Sequence, residues 1–340
     1  RLALLAFCLV PLAAALMVRP EPHPDDAAIA AAVAARPRRR KLLIGSIVLA
    51  IVVSVAAVNQ TVAYGSYAAK IQNTQNAAGT RTFFNCTRAV TSTANATPYA
   101  AWALGEAAST SANQTDLTGN GRTGRYTTAA VVTGSQVNGD VGCNQDSPKA
   151  AVRFNGDKCL YLNANYASSG YYPTTFSLEA WFRTDTTSNG KIIGFGSSRN
   201  TASDGNYDRH IYIDPQGRVV FGVYPGSVKI VYTTGKDYAD NKWHHVVATL
   251  ANGTQTLYVD GVQAMSRSNA SPYAENLHGY WKVGCGALSG WQTATTAATG
   301  STTLDYNGPS YFTGWIQFAA IYSNALSAAQ VTEHYNAGKA

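Results

Sequence analysis

The chain has 340 residues, 26 Lys and Arg against 19 Asp and Glu, a net charge of +7 and only 13% charged residues, about half the usual share. Residues 1–63 carry seven Lys/Arg and three Asp/Glu, and residues 64–340 carry nineteen and sixteen, so more than half of the excess lies in the first fifth of the chain. That placement excludes a nucleic-acid-binding surface, which needs a basic stripe on the folded part, and 46% hydrophobic residues with 20 Tyr, 10 Phe and 6 Trp exclude disorder throughout.

In chain order, the first feature is an apolar run, Leu2–Val18, interrupted by Pro11. Residues 1–18 read as a second span or as a non-native extension, with Met17 as a candidate start. Residues 19–41 end in Arg36-Pro37-Arg38-Arg39-Arg40-Lys41, which marks this side as cytoplasmic. Leu42–Val58 is apolar and about 17 residues long, the short end of what crosses a bilayer. Residues 42–63 are therefore expected to form a transmembrane helix or a signal peptide, with everything after about residue 64 outside the cytoplasm. Small residues at Ser54/Ala56, Thr61/Ala63 and Ser66/Ala68 offer cleavage patterns, so retention and release both stay open. Residues 64–97, rich in Ala, Thr, Asn and Gln, read as a polar stalk.

Cys86, Cys143, Cys159 and Cys285 all fall in the outward portion. Four cysteines there predict two disulfides with three possible connectivities. The pairing Cys86–Cys143 with Cys159–Cys285 is favoured, because it ties the stalk to the domain and an early strand to a late one. Buried free thiols are the alternative. No Cys-x-x-Cys spacing suggests a metal.

From about residue 150 the chain is a succession of short apolar runs separated by turn signals. Phe176–Phe182 alternates, with Phe176, Leu178, Ala180 and Phe182 on one face. Further runs follow at 191–195, 210–213, 219–223, 229–232, 243–250, 255–259, 281–283 and 312–322. Asn252-Gly253 and Asp260-Gly261 are hairpin signals, and only Ser327–His334 reads as a helix, with Ser327 as its N-cap. The pattern predicts an all-β antiparallel sandwich.

The runs Phe176–Arg183, Lys242–Leu250, Leu257–Gly261 and Phe312–Ser327, preceded by Ala100–Glu106 and Asp116–Tyr126, resemble in order and content the laminin-G-like, concanavalin A-like jelly-roll family. The resemblance covers about residues 98–338. It implies two antiparallel sheets packed face to face, with ligand sites on a concave face or on rim loops, and an exported bacterial protein.

Glycosidases of this fold resemble one another through Glu-x-Asp-x-x-Glu, because retaining hydrolysis needs two carboxylates about 5–5.5 Å apart. The nearest acids here, Glu179 with Asp185, Asp204 with Asp208 and Asp237 with Asp240, form no such pair on an apolar strand. No Gly-x-Ser-x-Gly elbow is present, and His244 and His245, adjacent on a strand, face opposite ways. No catalysis is expected. Asp116 and Asn120 in the loop 116–121 could contribute to a calcium site, although the family's completing acids are replaced by Gln317 and Phe318; a plain Asn-Gly turn is the simpler reading. Carbohydrate binding would rest on exposed aromatics beside polar groups. Trp291, Asp305, Tyr306 and Asn307 are rim candidates, followed by Tyr280 and by Tyr207 and Asp208 with Asp204, Asn206 and Arg209; loop packing is their other reading. Trp181, Trp243 and Trp315 are assigned to the core. The expected role is an extracellular binding or adhesion module for a glycan or a surface protein, with a self-associating structural subunit as the alternative.

Overall fold

The computed structural model describes residues 84–92, 96–105, 113–127, 140–147, 149–162, 173–187, 190–199, 202–269, 274–275, 278–301, 305–306 and 309–339, together with the backbone of 72–73 and 76–77. The expected membrane segment 42–63, the basic segment 19–41 and the apolar segment 1–18 lie outside the described residues. Among the described residues no helix is long and apolar enough to cross a membrane. Residues Thr82–Ala340 form one compact unit, separate from Arg1–Arg81. In the latter, β1 (Gln72–Asn73) pairs antiparallel with β2 (Asn76–Ala77).

The larger unit is a jelly-roll sandwich of two antiparallel sheets. One has eight strands in the order β12 (Lys229–Tyr232), β11 (Val219–Val223), β10 (Tyr207–Ile213), β9 (Lys191–Gly196), β16 (Tyr280–Val283), β7 (Leu160–Leu162), β5 (Gly124–Tyr126) and β4 (Asn113–Gln114). The other has seven: β15 (Val262–Ser268), β14 (Thr254–Val259), β13 (His244–Ala251), β8 (Phe176–Arg183), β19 (Thr313–Tyr322) and β3 (Pro98–Trp102) in order, with β6 (Val152–Asn155) also pairing β19. A two-stranded ribbon, β17 (Cys285–Ala287) with β18 (Pro309–Tyr311), completes the set.

Strand alternation builds the core directly. Phe176, Leu178, Ala180 and Phe182 of β8 point between the sheets as predicted, with Val246, Ala248 and Leu250 of β13. They meet Ile193, Phe195, Ile211, Ile213, Phe221 and Trp281 from the opposite sheet. Both two-residue hairpin loops form where expected: Asn252-Gly253 at φ +49° and +76°, and Asp260-Gly261 at +53° and +78°. Positive φ at both central residues makes each loop match the strand twist.

The outer face of the seven-stranded sheet is not left to solvent. It carries Ser177, Glu179 and Trp181 of β8 and Val247 of β13, and it is covered by α1 (Cys86–Thr91) and α3 (Ala328–Lys339). Ser327 caps α3 as expected: its hydroxyl accepts from Gln330 N at 3.3 Å, while Gln330 Oε1 accepts from Ser327 N at 2.8 Å, a reciprocal capping box. The helix runs five residues beyond the expected His334. Residues 84–92 and 96–97, read from sequence as the end of the stalk, belong to the folded unit. Cys86 is bonded to Cys143, and Asp146 accepts from Cys86 N at 2.9 Å and Thr87 N at 3.0 Å, closing the first turn of α1. Cys159 is bonded to Cys285, so the favoured connectivity is the one observed.

Trp181 is core, but Trp243 and Trp315 are half-buried. Trp243 donates its indole N–H to the Asp140 carbonyl at 2.9 Å, and Trp315 lies under the Arg153 guanidinium at 5.7 Å. Each sits near a strand end, where one ring edge stays at the surface.

Candidate functional site

The outer face of the eight-stranded sheet carries the site. Register places His210 opposite Gly222 and Tyr212 opposite Val220, so these four share that face. Leu288, Trp291, Ala294 and Tyr306, with the short helix α2 (Ala294–Ala298), fold across it. The segment that carries them is pinned at several points. Tyr212 donates to the Gln292 carbonyl at 2.6 Å, Ala294 N donates to Asp214 Oδ2 at 3.1 Å, and Asp305 N donates to the Trp291 carbonyl at 2.8 Å.

These contacts correct the sequence reading of the rim. Trp291 is 2% exposed, edge-on to His210 with ring centroids 4.4 Å apart. Gly222 makes room for it: a Cβ there would lie 2.2 Å from Trp291 Cζ3. Tyr306 is buried edge-on to Tyr212 at 5.5 Å; burial, with Asp214 and Asp305 nearby, pushes its phenol far above the usual range. Neither ring offers an open stacking face, because the segment's apolar residues fold back onto the sheet. Asp305 is exposed but spends Oδ2 on Thr293 N at 2.7 Å and Thr296 Oγ1 at 2.5 Å. Asn307 lies outside the described residues. Tyr280 is half-buried on β16, opposite Gly196.

Asp208 is fully buried. Its Oδ1 accepts from Arg209 N at 2.5 Å and Tyr224 N at 2.9 Å, and its Oδ2 accepts from Arg209 Nη1 at 3.3 Å and from Glu275 N. Burial pushes its carboxyl above the usual range, against the pull of Arg209. Arg209 stands at φ +56° in a bulge of β10. The bulge turns its side chain inward, where Nη2 donates to the Glu275 carbonyl at 2.9 Å and Nε to the Pro173 carbonyl at 3.3 Å. The Asp208–Arg209 pair thus fastens the chain at Glu275 beside β10 rather than facing a ligand.

Tyr207 does reach a surface depression, which encloses about 320 Å³. Its hydroxyl donates to the Ser289 carbonyl at 2.6 Å, and Lys191 Nζ lies 5.7 Å from its ring centroid. Tyr224, 37% exposed, and Val228 come from the turn joining β11 to β12. Asn206, Ser289 and Glu275 supply polar groups, and Trp291 closes the floor. Of the residues lining the depression, the sequence analysis singled out Tyr207, Asn206 and Trp291 as candidates and did not single out Tyr224, Val228 and Glu275. The Tyr224-Pro225-Gly226 turn is the one local signal that could have exposed the first of these.

Close to Tyr207, whose ring centroid lies 5.7 Å from Lys191 Nζ, is a buried charge cluster. Lys282 Nζ meets Asp204 Oδ1 at 2.5 Å, and Asp204 also accepts from Ser198 N at 3.0 Å and Ala287 N at 3.2 Å. Lys191 Nζ donates to the Ala287 carbonyl at 2.6 Å. Burial, with Lys282 adding to it, holds the Lys191 ammonium well below the usual lysine range, against Asp204 and Asp208.

The calcium reading fails on the donor set. Asp116 Oδ1 accepts from Ala101 N at 3.2 Å, Thr118 N at 3.1 Å and Thr118 Oγ1 at 2.8 Å, and Oδ2 accepts from Arg122 N at 2.9 Å. Asn120 donates its amide to the Pro98 and Tyr99 carbonyls. A cation needs six to eight free oxygens; here the lone carboxylate is surrounded by N–H and O–H donors. Gln317, at the position of an expected acid, accepts from Cys143 N at 2.9 Å and donates to the Ala150 carbonyl at 2.8 Å. Both residues are structural fasteners.

Residues 160–332 match the sequence model of the Laminin_G_3 family, the concanavalin A-like lectin/glucanases superfamily. The chain belongs to this family. No curated protein is similar to it in sequence. Among solved structures it is similar to domain 4 of AbnA, a GH43 extracellular arabinanase from Geobacillus stearothermophilus in complex with arabinotriose, at 20% identity and TM-score 0.45, over 71% of this chain and 99% of that one. It is also similar to the botulinum neurotoxin serotype D binding domain, at 16% and 0.44, and to the binding domain of Paraclostridial Mosquitocidal Protein 1, at 16% and 0.46. It covers 71% of itself in both cases and spans about half of each of those chains, 50% and 52%. These are likenesses of fold.

Proposed function

We propose that this laminin-G-like domain is a non-catalytic glycan-binding module, displayed outside the cytoplasm and anchored or exported through residues 42–63. The observation that carries the reading is the depression walled by Tyr207 and Tyr224, which sets two tyrosine rings beside Asn206, Ser289 and Glu275. Sugar rings present C–H faces that pack on aromatics and hydroxyls that bond polar neighbours, and a concave site mixing the two suits them. Glu275 is the one carboxylate lining the depression among the described residues, whereas retaining hydrolysis needs two. A glycan-array screen of the purified full chain tests the reading. Binding that Tyr224→Ala weakens at least tenfold supports it, and no binding to any glycan overturns it.

A second reading, self-association, is favoured by β15. It is an edge strand exposed along most of its length, with Val262 at 69%, and unpaired edges recruit other strands. A concentration-dependent sedimentation profile abolished by Val262→Lys would support it.

A further inference from the structure

We infer that the depression selects glycans bearing a protonated amine over neutral or acidic ones, with Glu275 as the residue that reads the charge. This deepens the glycan reading and rests on it.

Glu275 is the one charged residue lining the depression among the described residues. Lys191 Nζ already lies 5.7 Å from the Tyr207 ring centroid, so the ring left to an incoming cation is Tyr224, 37% exposed, and ring faces are electron-rich. A carboxylate beside an exposed tyrosine is a site for an ammonium group, and an amine on a sugar supplies it next to the C–H face that the ring also holds.

The neighbouring buried charges do not cancel this preference. Asp208 pairs with Arg209 at 3.3 Å and Asp204 with Lys282 at 2.5 Å. Lys191, the remaining cation, is sealed under the Ala287 carbonyl and held by burial well below the usual lysine range. Among the described residues no ion pair engages Glu275; burial and the Asp208 charge push its carboxyl above the usual range against the pull of Arg209, so an incoming ammonium is the partner that would hold it ionised. The preference is local: the outward portion carries nineteen Lys/Arg against sixteen Asp/Glu, and overall attraction would favour an acidic glycan instead.

Glu275 is a clean position to test. Its backbone N–H and carbonyl hold Asp208 and Arg209, and both survive Glu275→Gln. Titration calorimetry of the full chain would compare glucosamine oligomers, N-acetylglucosamine oligomers of equal length, and hyaluronan. The expected result is at least tenfold tighter binding of the glucosamine oligomer, with the difference erased by Glu275→Gln. Equal binding of the two neutral and cationic oligomers, tighter binding of hyaluronan, or a preference that survives Glu275→Gln overturns the inference while leaving glycan binding intact. A trimethyllysine peptide separates the two failures. If it binds with the same dependence on Glu275 and no oligosaccharide binds, the ammonium site stands and the glycan reading falls; if neither binds, both fall.

Discussion

His334 Nδ1 on α3 lies 2.9 Å from Glu179 Oε2 on β8, joining the C-terminal helix to the middle of the sheet it covers. The same carboxylate accepts from the Tyr322 hydroxyl at 2.5 Å and meets His245 Nε2 at 2.8 Å. All four side chains are buried on the outer face of the seven-stranded sheet. A buried carboxylate is tolerated only when paired and hydrogen-bonded, and here it draws its partners from three elements.

This pairing makes stability depend on pH with a definite sign. Burial by itself would lower the His334 pKa, but the Glu179 charge and its hydrogen bond, helped by Glu333, raise it above 6.5. Burial would raise Glu179, but His334 and His245 together carry it well below 4.5. The histidine's contribution is complete below 6.5 and is lost as pH rises through its folded-state value; the glutamate's is complete above 4.5 and is lost as pH falls. Urea midpoints should therefore peak between 4.5 and 6.5. In His334→Gln the decline on the alkaline side should flatten, with a loss of roughly 3 kcal/mol at pH 6 from leaving the carboxylate short of a partner. An unchanged alkaline slope in the variant would remove His334 as the cause.

The disulfides should contribute through the unfolded chain. Cys86 and Cys143 are 57 residues apart and Cys159 and Cys285 are 126 apart. Loop-closure entropy assigns about 4 kcal/mol to the first and about 5 kcal/mol to the second. Cys86→Ser/Cys143→Ser should lower stability by about that first amount and expose α1 to protease before the sandwich unfolds. Mass spectrometry of the unreduced protein after alkylation should find none of these four thiols labelled; labelling of any would contradict the pairing.

Features set by local pattern were legible in the sequence. The inward set of β8 follows from period-two alternation, and the Asp260-Gly261 loop from the need for positive φ at both positions. Trp291 was not legible as a buried ring. Its own loop shows no periodicity, and its burial depends on Gly222, sixty-nine positions away, being without a side chain. Glu275 was hidden for the same reason: it reaches the site because Asp208 and Arg209 hold its backbone from a strand distant in sequence. Asp116 was legible as a turn residue, but its donors, Ala101 and Arg122, come from outside the Asn-Gly turn that suggested calcium.

Calcium should accordingly leave the protein unchanged. Scanning calorimetry with millimolar calcium or with EDTA should give the same Tm, because both Asp116 oxygens already accept from N–H or O–H donors. Asp116→Ala should cost roughly 2–3 kcal/mol, as hydrogen bonds to a charged acceptor are lost and the Ala101 N–H is left buried without a partner. A calcium-dependent rise in Tm that disappears in Asp116→Ala would restore the metal reading.

Gly222→Ala separates the floor of the depression from the fold. The added Cβ would meet Trp291 Cζ3 at 2.2 Å, Cε3 at 2.8 Å and Ile230 Cγ2 at 3.2 Å. Since the ring is wedged against His210 and the strand backbone cannot retreat without breaking its pairing to β10 and β12, the indole must move outward into the depression. Overpacking of this kind costs about 1–3 kcal/mol, so the sandwich, whose core faces the other side of the sheet, should remain folded by circular dichroism. Tryptophan emission should shift to the red as Trp291 gains water, and glycan binding should fall at least tenfold as the floor rises. Unaltered emission together with unaltered binding would show that the ring can be accommodated where it is, and that Trp291 is not the floor of the site.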